Sequence, residues 1–140
     1  MINFNEKKGF ICDMDGVIYH GNLILPGVTE FINWLKEENK QYLFLTNNSS
    51  YTPKELQQKL ERMGLEVPEE HFYTSALATA AFLKDQSPGC SAYVIGEAGL
   101  LNALYDAGIT MNDVNPDYVV VGEGKSYSLS TLTKATNLVD

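Results

Sequence analysis

Asp13 and Asp15 stand at alternate positions after an apolar run, in the stretch FICDMDGVIYHG at residues 10–21. An acid at the end of a greasy strand is costly unless something there uses its charge. Residues i and i+2 of an extended chain face one way, and open parallel sheets bind ligands beyond the carboxyl ends of their strands. Two carboxylates so placed can hold a divalent cation, one serving as nucleophile and the other as proton donor. Two plainer readings compete. Asp and Gly are common in a turn after a strand. A calcium loop would need an acid or amide at its fifth position, Gly at its sixth and Glu at its twelfth. Val17, Ile18 and Ile24 stand there, and that reading fails.

A second polar cluster, Thr46-Asn47-Asn48-Ser49-Ser50, follows the apolar run YLFL. It reads either as a loop leading to a helix cap at Thr52 or as a phosphate seat, with a hydroxyl, amides and free backbone N–H groups at a strand end. Its place on the next strand–helix unit, at the same sheet edge, favours the phosphate seat. Gly122-Glu123-Gly124-Lys125-Ser126 imitates a nucleotide P-loop, but the required earlier glycine is replaced by Val119. A loop is the better reading there, and Glu97, Glu123 and Tyr127 are left without an assigned role. Trp34 sits beside Leu35 with no basic patch opposite, and is read as packing.

These groups need a scaffold. Gly9–Cys12 reads as a buried strand. A helix opened by Pro26 carries Val28, Phe31, Ile32 and Leu35 on one face. Tyr42–Thr46 is a second strand. Thr52-Pro53-Lys54-Glu55 starts a helix that buries Leu56, Leu60 and Met63 and stops at Gly64. A brief strand at Phe72–Ser75 precedes an alanine-rich helix, Ala76–Lys84, and the turn-rich break DQSPGCS. Then come a strand at Ala92–Ile95, a helix at Gly99–Asp106, a strand at Tyr118–Val121 and a helix at Leu129–Val139. Strands alternating with helices predict an α/β fold, a doubly wound Rossmann-like parallel sheet. The uninterrupted YLFL and YVVV runs predict strands buried on both faces.

Composition sets the bounds. The 140 residues are 44% hydrophobic and 20% charged, as in an ordinary globular protein. A net charge of −8 argues against holding nucleic acid by its phosphates. Two cysteines, Cys12 and Cys90, make no disulfide framework, and no run approaches a membrane span or a secretion signal. The expectation is a cytoplasmic protein without membrane partners, in which the sequons at Asn47 and Asn48 stay unglycosylated. Homo-oligomer formation is left open.

DMDGVIYHG followed by LFLTNNSS resembles the haloacid dehalogenase superfamily of phosphatases, and specifically its NagD-like, p-nitrophenyl phosphatase branch with an inserted class II cap. The resemblance continues through YTSA, YVIGE and NPDYVVVG and so covers nearly the whole chain. It implies that Asp13 attacks phosphorus to form an aspartyl phosphate. It implies that Asp15 protonates the leaving oxygen and then activates water. Mg²⁺ would be held by Asp13 and Asp15, through the carboxylate of the first and the backbone carbonyl of the second. Thr46, with Asn47 beside it, would bind the phosphoryl oxygens, and Gly16 would let the chain turn beneath them; Gly16–Asn22 matches the family's loop and flap. The second Asp leaves no base role for His20. Substrates would be small phosphorylated metabolites such as nucleoside monophosphates or sugar phosphates.

The departures are equally specific. The family uses a lysine on a later strand and a distal acidic motif to complete the metal shell. No lysine follows Lys134, and the tail has no acidic pair. Residues 1–78 are expected to be the first part of the catalytic core and 79–140 the beginning of an incomplete α/β cap. The chain is thus expected to be a truncated piece, inactive by itself, of a phosphatase. The rivals are a phosphotransferase or phosphomutase on the same core and a non-enzymatic binding fragment. A receiver-type domain belongs with the latter, weakened because no Asp ends the YLFL or FYTS runs.

Overall fold

The computed structural model describes residues 3–123 and 128–139. The chain divides into two compact units, one of Met1–Thr46 with Pro53–Tyr73 and the other of Asn47–Thr52 with Thr74–Asp140. The fold is α/β with parallel sheets, as the alternating elements predict.

In the first unit, β1 (Gly9–Asp13), β4 (Gln41–Thr46) and β5 (Phe72–Thr74) form a sheet in the order β1-β4-β5. β1 and β4 run parallel, with Ile11 opposite Leu43 and Asp13 opposite Leu45. The strand reaches one residue further than its apolar letters suggest and ends on Asp13 itself. Its even positions face α1 (Val28–Glu37): the Phe10 ring meets Phe31 and Trp34 edge-on, with centroids 5.8 and 5.6 Å apart. Trp34 is therefore the packing residue its position suggested. Tyr42 and Phe44 continue this buried face across β4, and Phe44 reaches Phe72 of β5 at 5.9 Å. α2 (Pro53–Arg62) begins at the expected proline and buries Leu56 and Leu60.

The odd positions correct the expectation of strands buried on both faces. Ile11 is 72% exposed and Leu45 37%, because helices among the described residues cover only the even side. An all-apolar strand reports its propensity for a covered sheet, not whether the cover is present. A hairpin of β2 (Tyr19–His20) and β3 (Leu23–Ile24) was not legible either: its pairs are too short to show alternation.

The second unit has a parallel sheet of β6 (Ser91–Ile95), β7 (Thr110–Met111) and β8 (Tyr118–Val121) in the order β7-β6-β8. α3 (Ser75–Gln86) and α4 (Ala98–Asp106) pack on one face through Ala76, Ala80, Leu83, Leu100, Ala103 and Leu104. On the other side, Lys134 of α5 (Leu129–Val139) lies over the Tyr93 ring at 5.6 Å and pairs with Asp113 at 2.8 Å. Val121 is 59% exposed, so YVVV is not enclosed at its end. Thr74 caps α3, its Oγ1 accepting from the Leu77 N–H at 3.1 Å.

The segment 47–52 is anchored within this unit. The Gly99 N–H donates to the Ser50 carbonyl at 3.1 Å, and a Cβ on Gly99 would lie 2.5 Å from the Ser49 carbonyl oxygen. The neighbouring obstacles are also backbone, at Ser50 and Tyr51. Gly99→Ala must move main chain, and by analogy with overpacked cores should lower stability by about 1–3 kcal/mol. Urea unfolding followed by circular dichroism checks this.

Candidate active site

Asp13 closes β1, and the chain turns at once. The Met14 N–H donates to Asp13 Oδ1 at 2.9 Å, while the Met14 side chain is fully buried and fixes the start of the turn. The Val17 and Ile18 N–H groups both donate to the Met14 carbonyl, at 3.1 and 2.8 Å. Gly16 donates to the Tyr19 carbonyl at 2.9 Å, which ties the turn to the hairpin. Buried Ile18 and Tyr19 hold the far side of this loop. The carboxylates of Asp13 and Asp15 stay exposed on it. His20 is exposed as well, with its backbone paired to Leu23.

Gly16 has φ +77, a left-handed conformation, and open space where a Cβ would stand. Its cost of substitution is therefore backbone strain alone. Gly16→Ala should destabilise by roughly 1–2 kcal/mol, read as a lower midpoint in urea unfolding. A larger loss would mean that the loop is also packed from outside.

The register places Thr46 at the same carboxyl edge, one residue past the partner of Asp13 on the adjacent strand. Thr46 is only 6% exposed and alternates onto the face of Tyr42 and Phe44, whereas Asp13 shares the face of Ile11 and Leu45. Asp13, Asp15, Gly16 and Thr46 thus gather at one strand-end edge of the first unit. Asn47 belongs to the second unit, where it is exposed and its carbonyl accepts from Ser75 Oγ at 2.9 Å.

The rest of the polar run has structural duties. Asn48 Oδ1 accepts from the Ser50 N–H at 2.8 Å. Ser49 is buried, and its Oγ accepts from the Glu123 N–H at 3.3 Å. No local signal marks Ser49 for this: its partner lies 74 residues away. Lys59 is the other group missed in the sequence. Its ammonium stands 4.6 Å from the Tyr19 ring centroid and braces the hairpin from α2. The P-loop imitation at 122–126 lies partly outside the described residues, and Tyr127 wholly so.

The donor set suits a hard cation. Asp13 offers its carboxylate, whose Oδ1 also accepts the Met14 N–H, and Asp15 offers its backbone carbonyl. No group of three His, Cys, Asp or Glu residues able to hold a metal occurs among the described residues. Magnesium usually takes one or two carboxylates and completes its shell with water and phosphate, which fits a site with one carboxylate and a backbone carbonyl. No helix among the described residues is long and apolar enough to cross a membrane.

A model of the haloacid dehalogenase-like hydrolases matches residues 10–110, from β1 to the start of β7. The chain belongs to that family. It is 45% identical over 132 residues to ribonucleotide monophosphatase NagD of Escherichia coli K12, matching 94% of this chain and 52% of that protein. It is 44% identical over 130 residues to a dihydroxyacetone phosphatase of Corynebacterium glutamicum, matching 93% of this chain and 47% of the relative. The solved structure of E. coli NagD superimposes with a TM-score of 0.90 over 94% of this chain and 52% of its own. A 4-nitrophenylphosphatase from Thermotoga maritima, 36% identical, gives 0.90 over 96% and 52%. These matches set the chain in the NagD-like, p-nitrophenyl phosphatase branch. The chain spans about half the length of the curated relatives it matches.

Proposed function

We propose that this chain carries the nucleophile half of a Mg²⁺-dependent phosphomonoester hydrolase. The observation that carries the reading is that Asp13, with the turn through Asp15 and Gly16 behind it, and Thr46 end adjacent parallel strands at one sheet edge. In this reading Asp13 attacks phosphorus in line with the leaving alkoxide, and the P–O ester bond breaks as the aspartyl phosphate forms. Asp15 gives its proton to the departing oxygen. It then takes a proton from the water that attacks the same phosphorus and frees Asp13 with inorganic phosphate. Asp15 is exposed on the turn that follows the nucleophile, within reach of both events. Thr46 holds phosphoryl oxygens, and the turn through Gly16 lets main chain approach them. Mg²⁺ would be held by the Asp13 carboxylate and the Asp15 backbone carbonyl, and would supply the positive charge that lets an anionic nucleophile approach an anionic ester.

Residues 1–78 would then be the opening part of the catalytic core and 79–140 the beginning of a cap; that boundary falls inside α3, whereas the two compact units divide between Tyr73 and Thr74. Substrates are small phosphorylated metabolites of the nucleoside monophosphate and sugar phosphate kind. Similarity to a ribonucleotide monophosphatase and a dihydroxyacetone phosphatase supports that class. A cytoplasmic setting goes with such substrates.

The test is a chimera in which this chain replaces the 132 matched residues of E. coli NagD. Release of phosphate from nucleoside monophosphates, present with Mg²⁺ and lost in EDTA, supports the reading. A folded chimera without such turnover overturns it.

A further inference from the structure

We infer that Lys59 is a positioning residue for proton transfer by Asp15: through the Tyr19 ring it fixes the turn that carries Asp15. This rests on the reading of Asp15 as the acid and base.

The turn after Asp13 is tied at both ends by main chain. At its start the Val17 and Ile18 N–H groups reach the Met14 carbonyl. At its far end the Gly16 N–H donates to the Tyr19 carbonyl at 2.9 Å, and Asp15 forms a β-bridge to Tyr19. The Asp15 carboxylate is exposed, and among the described residues no hydrogen bond or ion pair holds it. Its place is therefore set by the backbone, and so by Tyr19. Gly16, next in the chain, has φ +77 and no side chain to pack, which leaves the turn soft unless its far end is anchored.

The anchor is the Tyr19 side chain. Tyr19 is 6% exposed, and the Lys59 ammonium stands 4.6 Å from its ring centroid. A cation within about 6 Å of a centroid is drawn to the negative face of the ring. Lys59 precedes Leu60 and follows Leu56 by one turn, and both leucines are buried, so its helix is itself fixed in the core. Lys40 over Trp34 and Lys134 over Tyr93 stand further from their rings, at 5.7 and 5.6 Å, and neither ring belongs to the turn. A general acid must meet the departing oxygen within hydrogen-bond reach, and a misplacement of about 1 Å can cost about 10²-fold in rate. Removing the Lys59 charge should therefore weaken proton donation, at a cost that depends on the leaving group. The alkoxide of a nucleoside monophosphate needs the Asp15 proton as its P–O bond breaks. 4-Nitrophenolate spreads its charge over the ring and needs that proton little.

The experiment measures kcat/KM, which covers the steps through departure of the leaving group, for a nucleoside monophosphate and for 4-nitrophenyl phosphate in the NagD chimera. Asp15→Asn sets the scale, with the larger loss expected on the nucleoside monophosphate. Lys59→Met keeps the apolar stem, and should lose roughly tenfold on the nucleoside monophosphate and less than about threefold on 4-nitrophenyl phosphate. Lys59→Arg should stay within about twofold of the parent, since a guanidinium also binds a ring face. Tyr19→Leu should show the Lys59→Met pattern, and the double variant should fall no further than Tyr19→Leu alone. Lys40→Met gives up the Trp34 ring and two carbonyl contacts away from the turn, and should leave the ratio between the two substrates unchanged. A second measurement needs no turnover: in the 140-residue chain, Lys59→Met should speed hydrogen exchange at the Gly16 N–H that Tyr19 accepts. Asp15→Asn without a leaving-group preference would overturn the Asp15 reading, and this inference with it. With that preference present, the inference alone is overturned by a Lys59→Met loss equal on both substrates or absent. Additive losses with Tyr19→Leu, Lys59→Arg no better than Lys59→Met, a shifted ratio in Lys40→Met, or unchanged Gly16 exchange would each do the same.

Discussion

Asp13→Asn in the NagD chimera is expected to lower kcat by roughly 10³–10⁶-fold, the range seen when a nucleophile is removed. The amide has nearly the shape of the carboxylate but neither its charge nor its nucleophilicity. The local fold should survive, because Asn Oδ1 can still accept the Met14 N–H that Asp13 accepts at 2.9 Å. The side chain is exposed, so the exchange leaves no buried group unpaired. Steady-state rates with a nucleoside monophosphate, beside an unfolding midpoint unchanged from the parent, separate lost chemistry from lost structure. A variant that keeps a tenth of the parent rate would remove Asp13 from the nucleophile's role.

The second large effect concerns the 140-residue chain by itself. Removing one preorganised group that stabilises transition-state charge typically costs about 10²–10³ in kcat. By resemblance, the family places a lysine and a distal acidic motif at this site, and neither occurs in the chain's sequence after Lys134. Losing both should place the isolated chain on the order of 10⁴-fold or more below the chimera. The exposed Asp13 strand end has the same consequence, since a charge-stabilising donor works best where water is excluded. Phosphate release measured at equal concentrations of the two proteins decides this. Mg²⁺-dependent turnover by the chain alone within tenfold of the chimera, abolished by Asp13→Asn, would contradict it.

Much of the scaffold was legible because its signals are local. Val28, Phe31, Ile32 and Leu35 on α1, and Thr52-Pro53 before α2, declare their elements by spacing and capping within a few residues. The acids at 13 and 15 stood out because they break an apolar run where a strand must end. What escaped depends on partners far along the chain or on absent cover. Ser49 reads as one more polar loop residue, and only the fold shows its Oγ buried beside the Glu123 N–H. Gly99 looks like an ordinary helix-start glycine until the backbone of residues 49–51 is seen against it. Ile11 reads as core, and its 72% exposure reflects what is not packed on it. Apolar pattern tells which surface wants cover; it does not tell where the cover comes from.

The central claim is that Asp13 takes the phosphoryl group. Quenching the chimera in acid during turnover of a nucleoside monophosphate, followed by peptide mass spectrometry, reads this directly. The account predicts a phosphoryl adduct on the peptide holding Asp13, labile to hydroxylamine as acyl phosphates are and absent in Asp13→Asn. Full turnover with no adduct on that peptide, or with the adduct on another residue, would contradict it.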